Sequence, residues 1–233
     1  MTVPALLWRL LDETSPVIPA QWRLPLRYRI LLLNKNVEPE LAQLFELCRN
    51  FRCAVDIGSS HGFYSYKMSK RFSAVHAFDA NPNADFDIRY YKKPNLKFYN
   101  YGLSDRRRTA DLHIPVHAGI QYDGWGSTEP RALPFADSFA SVPVKLQRLD
   151  DQDFVRTESV DLIKIDVEGC ELQVLLGGME TLRRHKPVLI VENNAGQVDQ
   201  VKSLLASEGY SCTDFSSFSG RDCPSPNLLF FPV

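Results

Sequence analysis

From Cys53 onward, apolar runs of strand length alternate with segments whose apolar residues recur at helical spacing, the pattern of an α/β domain with a mostly parallel sheet. Residues 54–57 form the first expected strand. They are followed by the turn Gly58-Ser59-Ser60-His61-Gly62 and by a helix running to about Phe72, with Tyr64, Met68 and Phe72 on one face. Residues 74–79 form a second strand, closed by the turn formers Asn81-Pro82-Asn83, and residues 96–100 a third. The most continuous apolar run, residues 160–167, reads as a central strand. Its crossover helix carries Leu172, Leu175, Leu176, Met179 and Leu182 as the apolar stripe. Residues 188–192 make another short buried strand, and Val198, Val201, Leu204 and Leu205 a helical stripe that ends at Gly209. Residues 210–215 and 227–231 are expected to close the sheet as an antiparallel hairpin at its edge.

Two pieces stand outside this alternation. Within residues 1–50 one clear helix begins near Pro39, a residue suited to the first helical position, and buries Leu41, Leu44, Phe45 and Cys48. Residues 116–141 carry His117, Tyr122, Gly124, Trp125, Gly126 and Ser127 with no regular period. Structureless stretches longer than about 12–15 residues are usually lids, binding loops or disorder, and the aromatics here favour an ordered loop. With 233 residues, the chain suits one domain with an appendage: a helical N-terminal extension, 1–50, and a main domain, 51–233.

Composition narrows the class. The chain is 44% hydrophobic and 24% charged, enough for a sizeable core, and its formal charge of -1 gives no general reason to expect nucleic-acid or anionic-membrane binding. That balance conceals a basic N-terminal segment, Arg9, Arg23, Arg27, Arg29 and Lys35 interleaved with Trp8, Trp22 and Tyr28, which suits a solvated helical face or an anionic partner. Five cysteines with no CxxC pair suggest free thiols in a reducing cytoplasm. The N-terminus lacks a signal-peptide pattern, and the apolar stretch 24–33 is well short of the roughly 20 residues of a membrane span. The sequence leaves the oligomeric state open.

The glycine turn sits where a strand feeds a helix, which is where open α/β sheets bind ligands. Its spacing is G-x-x-x-G, so neither the dinucleotide fingerprint nor a P-loop is present, and a less phosphorylated guest fits better. Asp79, at the end of the next strand, can accept both hydroxyls of a ribose. A glycine turn with a ribose acid and no phosphate fingerprint points to S-adenosylmethionine (SAM).

The segments VDIGSSHGFYSY, VHAFDANP, YGLSDRRR and VDLIKIDVEGCELQVLLGGMETLRRHKPVLIVEN resemble, in order, the motif series of the FkbM-type SAM-dependent methyltransferases. The resemblance runs from about Cys53 to Asn193 and rests above all on IKIDVEGxE. It implies a Rossmann-like class I methyltransferase sheet and, often, methylation of a hydroxyl on a sugar or another small or glycosylated acceptor. Carried over, Asp56, Gly58, Ser59, Ser60 and Gly62 belong to the loop around the methionine moiety, Asp79 holds the ribose, and Ser104 and Asp105 flank the adenine. Ser59-Ser60 stands where the family usually has Ala-Asn; a serine hydroxyl replaces one hydrogen bond of that amide but reaches less far. Asp79-Ala80 stands where Glu-Pro is common, and Asp retains both acceptor oxygens.

Methyl transfer to a hydroxyl needs in-line alignment and a group to take the proton. Asp166 and Glu168 at the end of the central strand, and Glu192 at the end of its neighbour, are the candidates; capping of the following helix is the structural alternative for the first two. Lys164 lies on the strand face of Asp166, and burying it would be costly without a partner, so an ion pair with Asp56, Asp166 or Glu192 is expected. No metal-ligand spacing is apparent, although Asp166, Glu168 and Glu192 could hold Mg²⁺. His61 and His76 read as ordinary surface or packing residues rather than general bases, with His61, inside the glycine turn, the one placed for an exception. Tyr122, Trp125 and Ser127 are candidate acceptor-binding residues of the 116–141 loop. A SAM-binding regulatory or scaffolding protein without transferase activity, and a methyltransferase of protein or small-peptide acceptors, are the alternatives to a carbohydrate O-methyltransferase.

Overall fold

The computed structural model describes residues 18–33, 37–82, 87–129, 132–193 and 196–233. Arg9, Lys35 and Trp8 of the basic N-terminal set lie outside them. A helix, Ala20–Leu33, opens the described chain, and a short turn of helix, Pro39–Ala42, follows with Pro39 at its start. The strands are β1 (Cys53–Ile57), β2 (Ala74–Phe78), β3 (Leu96–Tyr99), β4 (Gly102–Leu103), β5 (Arg108–His117), β6 (Ile120–Gln121) and β7 (Ser138–Gln147). They continue as β8 (Val160–Ile165), β9 (Val188–Glu192), β10 (Tyr210–Asp214) and β11 (Asn227–Pro232).

Seven strands form one sheet in the order β10-β11-β9-β8-β1-β2-β3. β9, β8, β1, β2 and β3 are parallel, and β11 runs antiparallel to both β9 and β10, placing the terminal hairpin at the edge as the sequence indicates. Burial on both faces explains the near-continuous apolar character of β1 and β8. Strand alternation sends Ala54, Leu162 and Ile190 to one face and Val55, Ile163 and Leu189 to the other, each with its own apolar layer. The N-terminal helix is part of the first layer. Tyr28 lies 4.9 Å from the Tyr66 ring, and Arg27 turns inward to an ion pair with Asp87 at 2.8 Å. Arg27 is therefore not part of a solvated basic face.

The structure departs from the sequence reading at several points, the first being that the main helix of residues 1–50 is Ala20–Leu33, whereas the one expected from Pro39 is only the short turn Pro39–Ala42. Residues 116–141 are not one irregular loop: β5 and β7 pair antiparallel along their whole length and, with β4 and β6, make a second, four-stranded sheet. The helix after the glycine turn spans Phe63–Met68, although Phe72 is still buried. The crossover helix is two pieces, Glu171–Leu176 and Met179–His185. A Cβ on Gly177, between them, would stand 2.0 Å from the Ser104 carbonyl oxygen, so the chain after β4 occupies the space a side chain there would need. Leu176 is accordingly 44% exposed rather than core, and Phe45 is only half-buried.

Candidate active site

The C-terminal ends of β1, β2 and β8 and the tip of the β5–β7 hairpin enclose a cavity of about 720 Å³. Clefts of this size are typical of small-ligand sites. The glycine turn forms one side. Gly58 adopts φ 79°, where a side chain is strained, and the amides of Gly58 and Ser59 both donate to the Phe78 carbonyl, tying the turn to β2. Gly62, at φ 91°, ends the turn next to the helix. Ser60 takes a left-handed φ of 46° without being glycine, and its amide donates to Asp79 Oδ2 at 2.9 Å.

Asp79 also accepts from the Asn81 amide at 3.0 Å. Burial raises its carboxyl to about 6 despite these two hydrogen bonds. Asp56 is buried in β1 and accepts both the amide of Ser65, at 2.9 Å, and its hydroxyl, at 2.5 Å. Burial raises Asp56 to about 6 as well, against the lowering effect of Ser65 and Lys164. Asp56 thus holds the helix start to the strand.

Opposite the turn, β8 delivers Lys164 and Asp166. Lys164 pairs in register with Asp56 across the strands, but its ion-pair partner is Asp166, at 3.2 Å from Nζ. It also donates to Asn227 Oδ1 at 2.6 Å. Burial disfavours its charge, yet the carboxylates of Asp166, Glu38 and Glu192 outweigh this and hold the ammonium above its ordinary value. Asn227 in turn donates to Glu38 at 3.0 Å and to Glu40, and Tyr64 donates to Glu38 at 2.6 Å. Glu38 lines the cavity together with Leu31 and Leu41, so the N-terminal segment is one of its walls. Nothing in local spacing ties Glu38 to Lys164; Asn227, near the chain's end, makes the connection.

After Asp166 the chain bends sharply. Glu168 takes φ 56° and Gly169 φ 97°, and Glu171 steadies the bend by accepting the amides of Val167, at 3.3 Å, and Gly169, at 3.0 Å. Carboxylate oxygens of Asp166, Glu168 and Glu192 lie within 4.8 Å of one another. Burial, and then Asp166, Glu168 and Glu171, push Glu192 up to about 8.

Asp56, Gly58, Ser59, Ser60, Asp79, Lys164, Asp166, Glu168, Tyr122 and Trp125 all line the one cavity. His61 lines it too. Gly62, Ser104, Asp105, Ser127 and Glu192 are not on its wall. The Ser104 carbonyl packs on Gly177, and the buried Ser127 lies on Cys170, its Oγ 3.8 Å from the sulfur. The hairpin tip covers the turn: a Cβ on Gly124 would be 3.2 Å from Ser60 Oγ, and Asn81 Nδ2 donates to Asp123 at 2.9 Å. Tyr122 and Trp125 project from this tip, both edge-on to Phe135. The residues fit SAM: Ser59 Oγ is buried in the turn with no hydrogen-bond partner, and Asp79 stands at the strand end where a ribose would meet it.

Several solved structures are similar. An FkbM methyltransferase from Methylobacillus flagellatus is 15% identical with a TM-score of 0.48; the likeness covers 77% of this chain and 43% of that one, so this chain spans less than half its length. A TehB-like SAM-dependent methyltransferase from Corynebacterium glutamicum is 14% identical, with a TM-score of 0.45 and coverage of 89% and 95%. A precorrin-6y C5,15-methyltransferase from Geobacter metallireducens is 12% identical, with a TM-score of 0.41 and coverage of 82% and 84%. No curated protein matches by sequence. The Methyltransferase FkbM domain matches residues 56–212, about two thirds of the chain, from Asp56 in the glycine strand through the terminal hairpin's first strand. The chain belongs to the FkbM methyltransferase family, for which SAM is the methyl donor.

Proposed function

We infer that the protein transfers a methyl group from SAM to a hydroxyl of a sugar or glycosylated small molecule. The observation that carries this reading is the placement of Asp166. Its carboxylate is on the cavity wall beside the glycine turn, ion-paired to a buried lysine, and faces a space rimmed by Tyr122 and Trp125. Aromatic rims with acidic walls suit polyhydroxylated ligands, whose ring faces stack while their hydroxyls donate to carboxylates.

Asp56, Gly58, Ser59 and Ser60 would hold the amino-acid end of the donor and Asp79 its ribose hydroxyls. Bound SAM would supply an electrophilic methyl group to an attacking acceptor hydroxyl, with a neutral thioether as the leaving group. Asp166 accepts the proton of that attacking hydroxyl. Lys164 orients Asp166 as a positioning residue, with Asn227 fixing its ammonium. Glu168, on the same wall, accepts a hydrogen bond from a neighbouring acceptor hydroxyl. Glu38 binds the far side of the acceptor, so that the described part of the N-terminal extension, through Leu31, Glu38 and Leu41, completes the acceptor side of the 51–233 domain.

No helix among the described residues is long and apolar enough to cross a membrane. Free thiols at Cys48, Cys53 and Cys170 support a cytoplasmic setting.

Isotope-labelled SAM incubated with the protein and fractionated acceptors tests the reading. Label in a glycan or glycoside fraction, abolished by Asp166→Asn, is expected. Label confined to protein would overturn the acceptor class, and calorimetry showing no SAM or S-adenosylhomocysteine binding would overturn the donor.

A further inference from the structure

At the other end of the sheet from the cofactor turn, Cys53, His76 and Glu158 converge. Cys53 opens β1, and Val55, two residues on, pairs with His76 in β2, so strand alternation puts both side chains on one face. Glu158 lies two residues before β8, at the end of the short helix Phe154–Thr157. The sulfur, a ring nitrogen and a carboxylate oxygen all lie within 4.8 Å of one another. We propose that these three side chains bind a borderline-soft divalent cation of the zinc class.

Three features support the assignment beyond the identity of the ligands. First, the imidazole is already aimed. Its ring stacks on Phe154 with centroids 3.7 Å apart, its Nδ1 is 3.0 Å from the Tyr99 hydroxyl, and its Nε2 is 3.2 Å from Glu158 Oε2. A hydrogen-bonded far nitrogen is what fixes a ligating histidine in the correct tautomer. Second, the ligand atoms of a tetrahedral ion with bonds of about 2.0–2.3 Å stand roughly 3.3–3.8 Å apart, and His76 Nε2 and Glu158 Oε2 already stand 3.2 Å apart, with the sulfur within 4.8 Å of both. Third, the charges cancel. A thiolate, a neutral imidazole and a carboxylate together balance a dication.

Without the cation, burial and then Glu158 push the Cys53 thiol up and keep it protonated. On binding, the Cys53 proton leaves to solvent, and the imidazole proton that faces Glu158 at Nε2 moves to Nδ1, where it is donated to the Tyr99 oxygen, leaving the Nε2 lone pair for the ion. Cys53 and His76 are buried, whereas the Glu158 side chain is 32% exposed, which gives an entry path and room for a water as fourth ligand. Such a site would bind β1 and β2 to the turn that enters β8, a structural role separate from methyl transfer.

Cobalt(II) is the probe, added to the full chain after chelator treatment. The expected result is one equivalent of Co²⁺ producing a near-ultraviolet thiolate-to-metal charge-transfer band and visible tetrahedral absorption, both bleached by equimolar Zn²⁺. Cys53→Ala should abolish the charge-transfer band while far-ultraviolet circular dichroism stays unchanged. Glu158→Gln, at the exposed end where folding is least at stake, should weaken Co²⁺ binding at least about tenfold. An all-oxygen site at Asp166, Glu168 and Glu192 would give no thiolate band. No such band in the wild type, an undiminished band in Cys53→Ala, or unchanged affinity in Glu158→Gln would each overturn the proposal.

Discussion

Gly58 lies directly beneath the backbone of Asp166: a Cβ on Gly58 would stand 1.6 Å from the Asp166 carbonyl oxygen. The cofactor turn and the carboxylate of the central strand are therefore two sides of one contact, sealed by the Asp166 amide donating to the Ile57 carbonyl at 2.9 Å. Gly58→Ala should move both at once. Its left-handed φ alone costs about 1–2 kcal/mol for a residue with a side chain, and the backbone clash adds to that. Urea unfolding should show at least about 2 kcal/mol lost, and S-adenosylhomocysteine binding should fall with it.

Asp79→Asn keeps the size of the side chain but loses the charge that a ribose would meet. Hydrogen bonds to charged groups are worth about 1.5–3 kcal/mol, so titration calorimetry should show S-adenosylhomocysteine binding weakened about 10–100-fold with the fold intact. Because burial sets Asp79 at about 6, the wild type should lose affinity as pH falls through that value, and the variant should lose this dependence.

Lys164→Met separates orientation from binding. The lysine touches Asp166 and Asn227 and not the glycine turn, so SAM affinity should hold. kcat should fall by about 10–100-fold, part of the 10²–10⁴ a general base supplies, while the KM for SAM is unchanged. Normal turnover would reduce Lys164 to a structural partner.

Glu192→Gln should alter how stability depends on pH above about 6, where Asp56 and Asp79 have finished titrating. In the unfolded chain Glu192 gives up its proton near its ordinary 4.5; folded, it keeps the proton to about 8. Between those values the unfolded state binds fewer protons, so this group's contribution is complete below 4.5 and is lost as pH rises through about 8. Asp56 and Asp79 follow the same sign but finish near 6. Thermal melts should therefore show a wild-type Tm that declines between about pH 6 and pH 8 and a flatter curve for Glu192→Gln.

The strands that build the site were legible because each is buried on both faces and so reads as a near-continuous apolar run, broken in β1 and β8 only by Asp56, Asp161 and Lys164. The β5–β7 pair was not. One side of it faces solvent, and each strand contains a proline, Pro115 opposite Phe139 and Pro143 opposite Asp111, where a ladder residue would normally donate. The aromatics at its tip drew attention to Tyr122 and Trp125, but their position over the cavity depends on two long strands that the irregular composition hid. Glu38 was invisible for a different reason: its place on the wall is set by Asn227 and Tyr64, which are remote in sequence. Likewise, Cys53, His76 and Glu158 share no spacing, only a sheet face.

Asn81 has a consequence for how the two substrates would influence each other. Its backbone amide reaches Asp79, on the ribose side, while its side-chain amide holds Asp123 in the hairpin tip. One residue thus spans the donor end and the acceptor end of the cavity. A donor that draws Asp79 inward biases the tip through Asn81, and thermodynamic reciprocity then requires an acceptor seated under the tip to change donor affinity by the same factor.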